Sequence, residues 1–461
     1  MPHPTRAFPT AGSGDEDDQD LPMIRRTRRA PAPPRRMAAI FTTAVLGLGA
    51  ISTAGCSNTD DGADSATTVA PTSSGNTPSG AETTTPPMLV PELFDATDTS
   101  FYATPEPVPA GNHGDLVRYQ LTGNQPNGMT RYRVMYLSET RRGEPTVVTG
   151  LVAVPSGDGP SGGWPVLTYS RGSSGIADNC AISMAVDETQ GSDPLLAAEA
   201  FLVEDAVSRL DMVATVTDYE GIGGPGIHPY LSGVSEARAT LDIVRAAGQL
   251  PDLKLRSDVG IMGYSQGGHA ALWANQHAAE WTPELVIHGT VSGAPASELA
   301  ELLAPGGFFD DGSRSMLAAG MAQEDPSIDL ADVLTPDGEQ LVDLMSASCR
   351  PDPQAAESLA AKPLLQQSQA QNELWPAWIS ANTPGKDSAA APVLIFHGDA
   401  DESVPVEHSQ ALQDRLCASG VPTERRVIAG AGHVAGAVPT IAEGADWLAA
   451  RIARTQPNPT C

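Results

Sequence analysis

The sequence predicts an α/β protein with a mostly parallel central sheet covered by helices on both faces, and three observations predict it. Short apolar runs at 166–169, 212–217, 259–262, 286–291 and 393–396 have strand length and are too apolar for a sheet with one wet face. Helix-length segments at 195–204, 234–247, 270–279 and 406–416 separate them, the spacing of a doubly covered parallel sheet. Between the run at 259–262 and the helical run from Ala270 stands Gly263-Tyr264-Ser265-Gln266-Gly267. G-x-S-x-G at a strand-to-helix turn has the form of a nucleophile elbow, where small residues flank a strained serine.

Taken from the N-terminus, the 461 residues begin with no foldable segment. An acidic run at 15–20 and an arginine-rich one at 25–36 precede the apolar stretch 37–51, which is short, glycine-rich and flanked by basic residues. That reads as a signal peptide rather than a membrane span. The stretch ends at Thr53-Ala54-Gly55-Cys56, similar to a bacterial lipobox with Thr53 where an aliphatic residue is usual. Lipidation of Cys56 is the reading adopted; cleavage after Ala54 or Gly55 by an ordinary signal peptidase is the alternative. Residues 1–56 are thus the leader. Residues 57–88, rich in Ser, Thr, Gly, Pro and Asp, can bury nothing and read as a flexible tether. The expected location is outside the cell, free or lipid-anchored on the outer face of the membrane.

The catalytic domain is expected over 89–461. Residues 132–138 and 146–154 form a strand pair joined by the polar turn at 141–144, ahead of the parallel core. The loop after the strand at 166–169 runs Ser170-Arg171-Gly172-Ser173-Ser174-Gly175. Its glycines let backbone amides turn inward, and Gly172 or Ser173 is the candidate for one oxyanion donor; the Gln266 amide at the start of the elbow helix is the other. The stretch 298–390 is too long for a loop and carries Leu299, Leu302, Phe308, Phe309, Leu317 and Trp375 in helical blocks, which makes it a cap.

An acid and a histidine should follow the nucleophile in that order. Phe396-His397-Gly398-Asp399-Ala400-Asp401-Glu402-Ser403-Val404-Pro405 offers Asp401 as the acid, with Asp399 second. Asp399 and Glu402 are more simply read as caps of the helix at 406–416. Gly430-Ala431-Gly432-His433 follows a strand at 426–428, and His433 is the base that would relay the Ser265 proton. Of nine histidines, His269 points along the elbow helix and reads as structural, and His397 as a buried hydrogen-bonding residue. His113, His228, His277, His288 and His408 carry no motif.

Five cysteines are present: Cys56, Cys180, Cys349, Cys417 and Cys461. With Cys56 acylated, four remain to pair in an exported protein, in one of three connectivities. Order along the chain suggests Cys180–Cys349 and Cys417–Cys461. No CxxC or CxxH spacing appears, so neither a metal site nor a cofactor is expected. A formal charge of −29 removes the electrostatic footprint for nucleic acid.

With Ser265, Asp401, His433 and the glycine loop assembled, the chain resembles the secretory lipase family, α/β-hydrolases of the yeast lipase A type. The resemblance spans most of 98–450 and rests on Gly263-Tyr-Ser-Gln-Gly-Gly-His-Ala270, Thr217-Asp-Tyr-Glu-Gly-Ile-Gly223, His228-Pro-Tyr-Leu231, Ala177-Asp-Asn-Cys-Ala-Ile-Ser183 and Trp378-Ile-Ser-Ala-Asn-Thr-Pro-Gly385. It implies an α/β-hydrolase fold, the same triad, two disulfides and a cap that forms the acyl tunnel. Relatives often carry His-Gly-Thr where this chain has Arg171-Gly172-Ser173. The expected activity is hydrolysis of carboxylic esters, triacylglycerols included, by a monomer that meets a membrane only through its N-terminal lipid. Competing readings are an acyltransferase or peptidase on the same triad, and a surface lipoprotein that binds apolar ligands without catalysis.

Overall fold

The computed structural model describes residues 89–124, 127–186, 194–304 and 307–461. The leader, Cys56 and the tether lie outside the described residues.

Ten described strands form one sheet: β1 (Glu92–Phe94), β2 (Leu116–Asn124), β3 (Met129–Glu139), β4 (Pro145–Pro155), β5 (Trp164–Ser170), β6 (Val213–Thr217), β7 (Leu255–Tyr264), β8 (Val286–Gly293), β9 (Val393–Gly398) and β10 (Thr423–Ile428). Their spatial order is β1-β2-β3-β4-β6-β5-β7-β8-β9-β10. Strands β6, β5, β7, β8, β9 and β10 run parallel, while β2, β3, β4 and β6 pair antiparallel. The turn joining β3 to β4 is closed by Gly143, whose φ of +80° only glycine adopts without cost.

The helices are α1 (Ile182–Ala185), α2 (Pro194–Ser208), α3 (Gly233–Ala247), α4 (Gln266–Trp281), α5 (Leu299–Leu302), α6 (Asp311–Glu324), α7 (Leu330–Val333), α8 (Pro336–Ala347), α9 (Pro353–Ala360), α10 (Gln369–Asn382), α11 (Val406–Ala418) and α12 (His433–Ile452). Alternation along the strands sorts the core. On β9, Val393 and Ile395 face Leu272 of α4 and Leu412 and Leu416 of α11. Leu394 and Phe396 enter the opposite layer, with Val203 and Val207 of α2 and Ile441 and Leu448 of α12. A strand fed with apolar residues at every position can only be buried on both sides, which is why these strands read as unbroken runs.

Strands β1 and β2 escape the sequence reading. Strand β2 buries Arg118 and Gln120, whose side chains reach the Phe101 and Ala103 carbonyls and the Asp95 and Asp98 carbonyls. Polar residues with buried partners hide a strand from a hydrophobicity pattern.

Between β8 and β9 the chain runs through α5 to α10. Side chains mark several starts: Asp310, Thr335 and Asp352 accept from the amides of Ser313, Gly338 and Gln354, and Pro336 and Pro353 open their helices. One apolar cluster joins Leu299, Leu302, Leu317, Trp375 and Trp378 from this stretch to Ile176 and Leu231 of the body. Asn382 at the end of α10 fastens it, accepting from Gly233 N–H at 2.9 Å with its side chain and from Trp273 Nε1 at 3.0 Å with its carbonyl. Disulfides join Cys180 to Cys349 and Cys417 to Cys461. The first ties the segment after β5 to the chain following α8, and the second ties the C-terminus to α11. Among the described residues no helix is long and apolar enough to cross a membrane.

Candidate active site

Ser265 sits between β7 and α4 with φ 58° and ψ −117°, a conformation that non-glycine residues avoid. Its surroundings over-determine the strain. The Ser265 amide donates to the Gly293 carbonyl at 2.8 Å, and its carbonyl accepts the first helical bond from His269 N–H at 3.1 Å. A Cβ on Gly267 would overlap the Ser170 carbonyl, so the elbow closes against the end of β5 only because that residue is glycine.

The structure brings the three sequence-predicted residues together. His433 Nε2 lies 2.9 Å from Ser265 Oγ, and His433 Nδ1 lies 2.7 Å from Asp401 Oδ2. Nδ1 facing a carboxylate carries the proton, which leaves Nε2 to accept from the serine hydroxyl. His433 is the first residue of α12 rather than part of a free loop, and its own carbonyl accepts from Tyr264 O–H.

Asp401 is anchored by its other oxygen, Oδ1, which accepts the Ser403 and Val404 amides at 2.8 Å each. Burial alone would push the Asp401 carboxyl up. Hydrogen bonds from His397 and His433 overcome that and hold it well below the usual carboxylate range. His397 is buried, with Nε2 2.9 Å from the Val404 carbonyl and 3.4 Å from Asp401.

The helix-capping role expected of Asp399 and Glu402 is not what the structure contains. Helix α11 begins after Pro405 with no side-chain cap. Asp399 accepts from Gly430 N–H at 2.6 Å, and Glu402 accepts from His433 N–H at 3.2 Å. Both carboxylates reach across to the histidine loop, because β9 and β10 are neighbours and their following loops leave the same edge.

Gln266 opens α4, and its N–H belongs to the first turn, where no carbonyl of the helix can satisfy it. Its side chain is buried, donating from Nε2 to His228 Nε2 at 2.7 Å and to Glu236 Oε1 at 2.8 Å. Burial, with Arg171 nearby, pushes His228 down to about 3, so its ring is neutral. Its Nδ1 donates to the Glu220 carbonyl and its Nε2 is the acceptor that Gln266 needs. Glu236 also accepts from Leu231 N–H at 3.1 Å and from His269 Nδ1 at 2.8 Å, while His269 Nε2 faces the Asn382 carbonyl at 2.8 Å. His269 is therefore structural as the sequence suggests. Glu236 was not singled out by sequence, its only signal being an acidic residue on the apolar face of α3, and His228 entered only as part of the resemblance at His228-Pro-Tyr-Leu231.

Of the two loop candidates for an oxyanion donor, Gly172 is corrected: its N–H is spent on Glu199 Oε1 at 3.1 Å. Ser173 is exposed, its hydroxyl 2.7 Å from Tyr230 O–H. Among the described residues no group of three or more His, Cys, Asp or Glu side chains is disposed to hold a metal ion.

A serine hydroxyl, a neutral imidazole and an anchored carboxylate in this order can move one proton from Oγ to Nε2 while Oγ attacks an electrophilic carbon. The secretory lipase family model matches residues 195–459 of the chain. A Mycobacterium tuberculosis protein named as a probable inactive lipase is 27% identical over 209 residues, covering 44% of this chain and 46% of that one. Lipase 10 of Candida albicans is 23% identical over 385 residues, 77% of this chain and 80% of its own. Candida antarctica lipase A in its closed state superimposes with a TM-score of 0.65 at 20% identity, over 79% of this chain and 88% of that structure. The chain thus spans about half of the mycobacterial relative and most of the other two.

Proposed function

The chain belongs to the secretory lipase family, and on that premise we propose that it hydrolyses carboxylic esters of fatty acids, triacylglycerols among them, through an acyl-enzyme on Ser265. The observation that carries the reading is His433 bridging Ser265 Oγ and Asp401 within hydrogen-bond distance of both. His433 Nε2 takes the Ser265 proton as Oγ attacks the ester carbonyl. The carbonyl oxygen, now negative, is held by the Gln266 amide and an amide of the loop after β5. His433 then gives its proton to the departing alcohol, and water attacks the acyl-enzyme by the same relay in reverse.

A fatty acyl chain is supported by the family match and by the name of the Candida albicans relative, a lipase. Each buried CH₂ contributes about 0.8 kcal/mol. Export to the cell exterior, lipidated at Cys56 or freely secreted, is supported by the two disulfides and the leader composition.

The test is a chain-length series of nitrophenyl esters and a triglyceride emulsion, run on the wild type and on Ser265→Ala. The wild type turns over the esters and the variant does not; turnover surviving in Ser265→Ala removes the nucleophile assignment. The name of the mycobacterial relative favours a second reading, an apolar-ligand-binding protein without catalysis. Failure of a fluorophosphonate to label Ser265 in the intact protein would select it.

A further inference from the structure

Acyl transfer at Ser265 needs a second N–H beside that of Gln266 to hold the oxyanion. We propose that Ser173 supplies it, and that Arg171 and Glu199 are positioning residues which fix its direction; the inference rests on the acyl-enzyme reading above. The Gly172 residue is gripped from both ends. Its N–H donates to Glu199 Oε1 at 3.1 Å, and its carbonyl accepts from Arg171 Nη1 at 2.9 Å. A trans peptide is planar, with the carbonyl of one residue and the N–H of the next on opposite sides. Holding the Gly172 carbonyl on the guanidinium therefore turns the Ser173 N–H the other way, and the Gly172 N–H is already used.

The grip lies beside the nucleophile. A Cβ on Gly172 would stand 3.6 Å from the carbonyl of Tyr264, the residue before Ser265. Arg171 is wholly buried beneath the loop, with its guanidinium 5.2 Å from the Tyr219 ring centroid. The same side chain donates to the Asp218 carbonyl at 3.3 Å and to Ser174 Oγ. Only a guanidinium offers three donors in one plane, which gives a reason for Arg where relatives often carry His. Glu199 projects from α2, half-buried, and accepts a hydrogen bond from the Tyr169 hydroxyl at 2.6 Å as well as from the Gly172 amide. The Ser173 hydroxyl on Tyr230 pins the far end of the peptide.

The experiment measures kcat and KM on a nitrophenyl ester, affinity for a trifluoromethyl ketone, and Tm, for Glu199→Ala, Glu199→Gln and Arg171→Lys beside Ser265→Ala. A trifluoromethyl ketone adds Oγ and leaves an oxyanion, so it reads the donor pair directly. Glu199→Ala and Arg171→Lys are expected to lower kcat about tenfold to a hundredfold with KM within about threefold, and to weaken the ketone by a similar factor. Glu199→Gln keeps an acceptor for Gly172 and should recover to within about fivefold of wild type. Wild-type kcat and ketone affinity in both Glu199→Ala and Arg171→Lys overturn the assignment, as does a loss confined to KM or one that Glu199→Gln fails to relieve. If Glu199→Ala does not fold, Arg171→Lys and Glu199→Gln decide it. Residual turnover in Ser265→Ala overturns the acyl-enzyme reading itself, whereas an inert Ser265→Ala beside unimpaired loop variants overturns only the loop assignment.

Discussion

Ser265 and Gln266 rest on a floor of buried polar side chains, whereas Asp401, on the loop after β9, and His433, in the first turn of α12, are flanked by carboxylates that face water. The first half needs a strained serine, and Glu236, His228 and His269 each satisfy a partner there that has no alternative. The second half needs only a distance, and backbone amides, the buried His397 ring and the exposed Asp399 and Glu402 provide it. Buried hydrogen bonds leave a costly orphan when broken, while exposed ones are replaced by water. The nucleophile side should therefore carry most of the stability of the site, and the acid–base side most of its chemistry alone.

The strongest challenge to that division is Asp401→Asn. It keeps the shape of the loop but puts the wrong tautomer on His433, and kcat should fall about 10⁴-fold with KM and Tm nearly unchanged. A loss below tenfold would mean that the carboxylate does not set the imidazole. Next is Glu236→Ala, which at once removes the acceptor of Leu231 N–H, of one of the two Gln266 Nε2 hydrogens and of His269 Nδ1. It should cost about 3–5 kcal/mol in urea unfolding, a stability loss far larger than any made on the acid–base side.

Glu220 sharpens the contrast through pH. Burial pushes its carboxyl up to about 7, with the Ser235 hydroxyl pulling down and Glu324 pushing up. The fold thus prefers the protonated acid, and stability present at low pH is lost as pH rises from about 4.5 through 7. Glu220→Gln removes that loss. Its stability should match wild type near pH 4.5 and exceed it by about 3 kcal/mol at pH 8. An advantage that stays constant between pH 5 and pH 8 would mean Glu220 titrates normally. The smallest effect belongs to Asp399→Ala, which frees the Gly430 amide to water. Stability should change by less than about 1 kcal/mol and kcat by less than about tenfold.

Much of this was legible because it is local. The apolar runs gave β5 to β9, G-x-S-x-G gave the elbow, and the order of acid and histidine along the chain gave Asp401 and His433. What stayed hidden was polar and non-local. Arg118 and Gln120 mask β2 because their partners lie 15 to 25 residues away in sequence. Glu402 looked like a cap for the nearest helix, yet it serves an amide 31 residues on.

The sequence by itself determined the apolar strands β5 to β9, which serine is strained and which residues can relay a proton, since those follow from periodicity, turn chemistry and residue type over a few positions. The direction of the Gly172–Ser173 peptide and the floor beneath Gln266 were decided only when β5, α2, α3 and α4 packed together. A hydrogen bond between distant side chains is set by where the backbone carries them, and no single stretch of sequence contains that information.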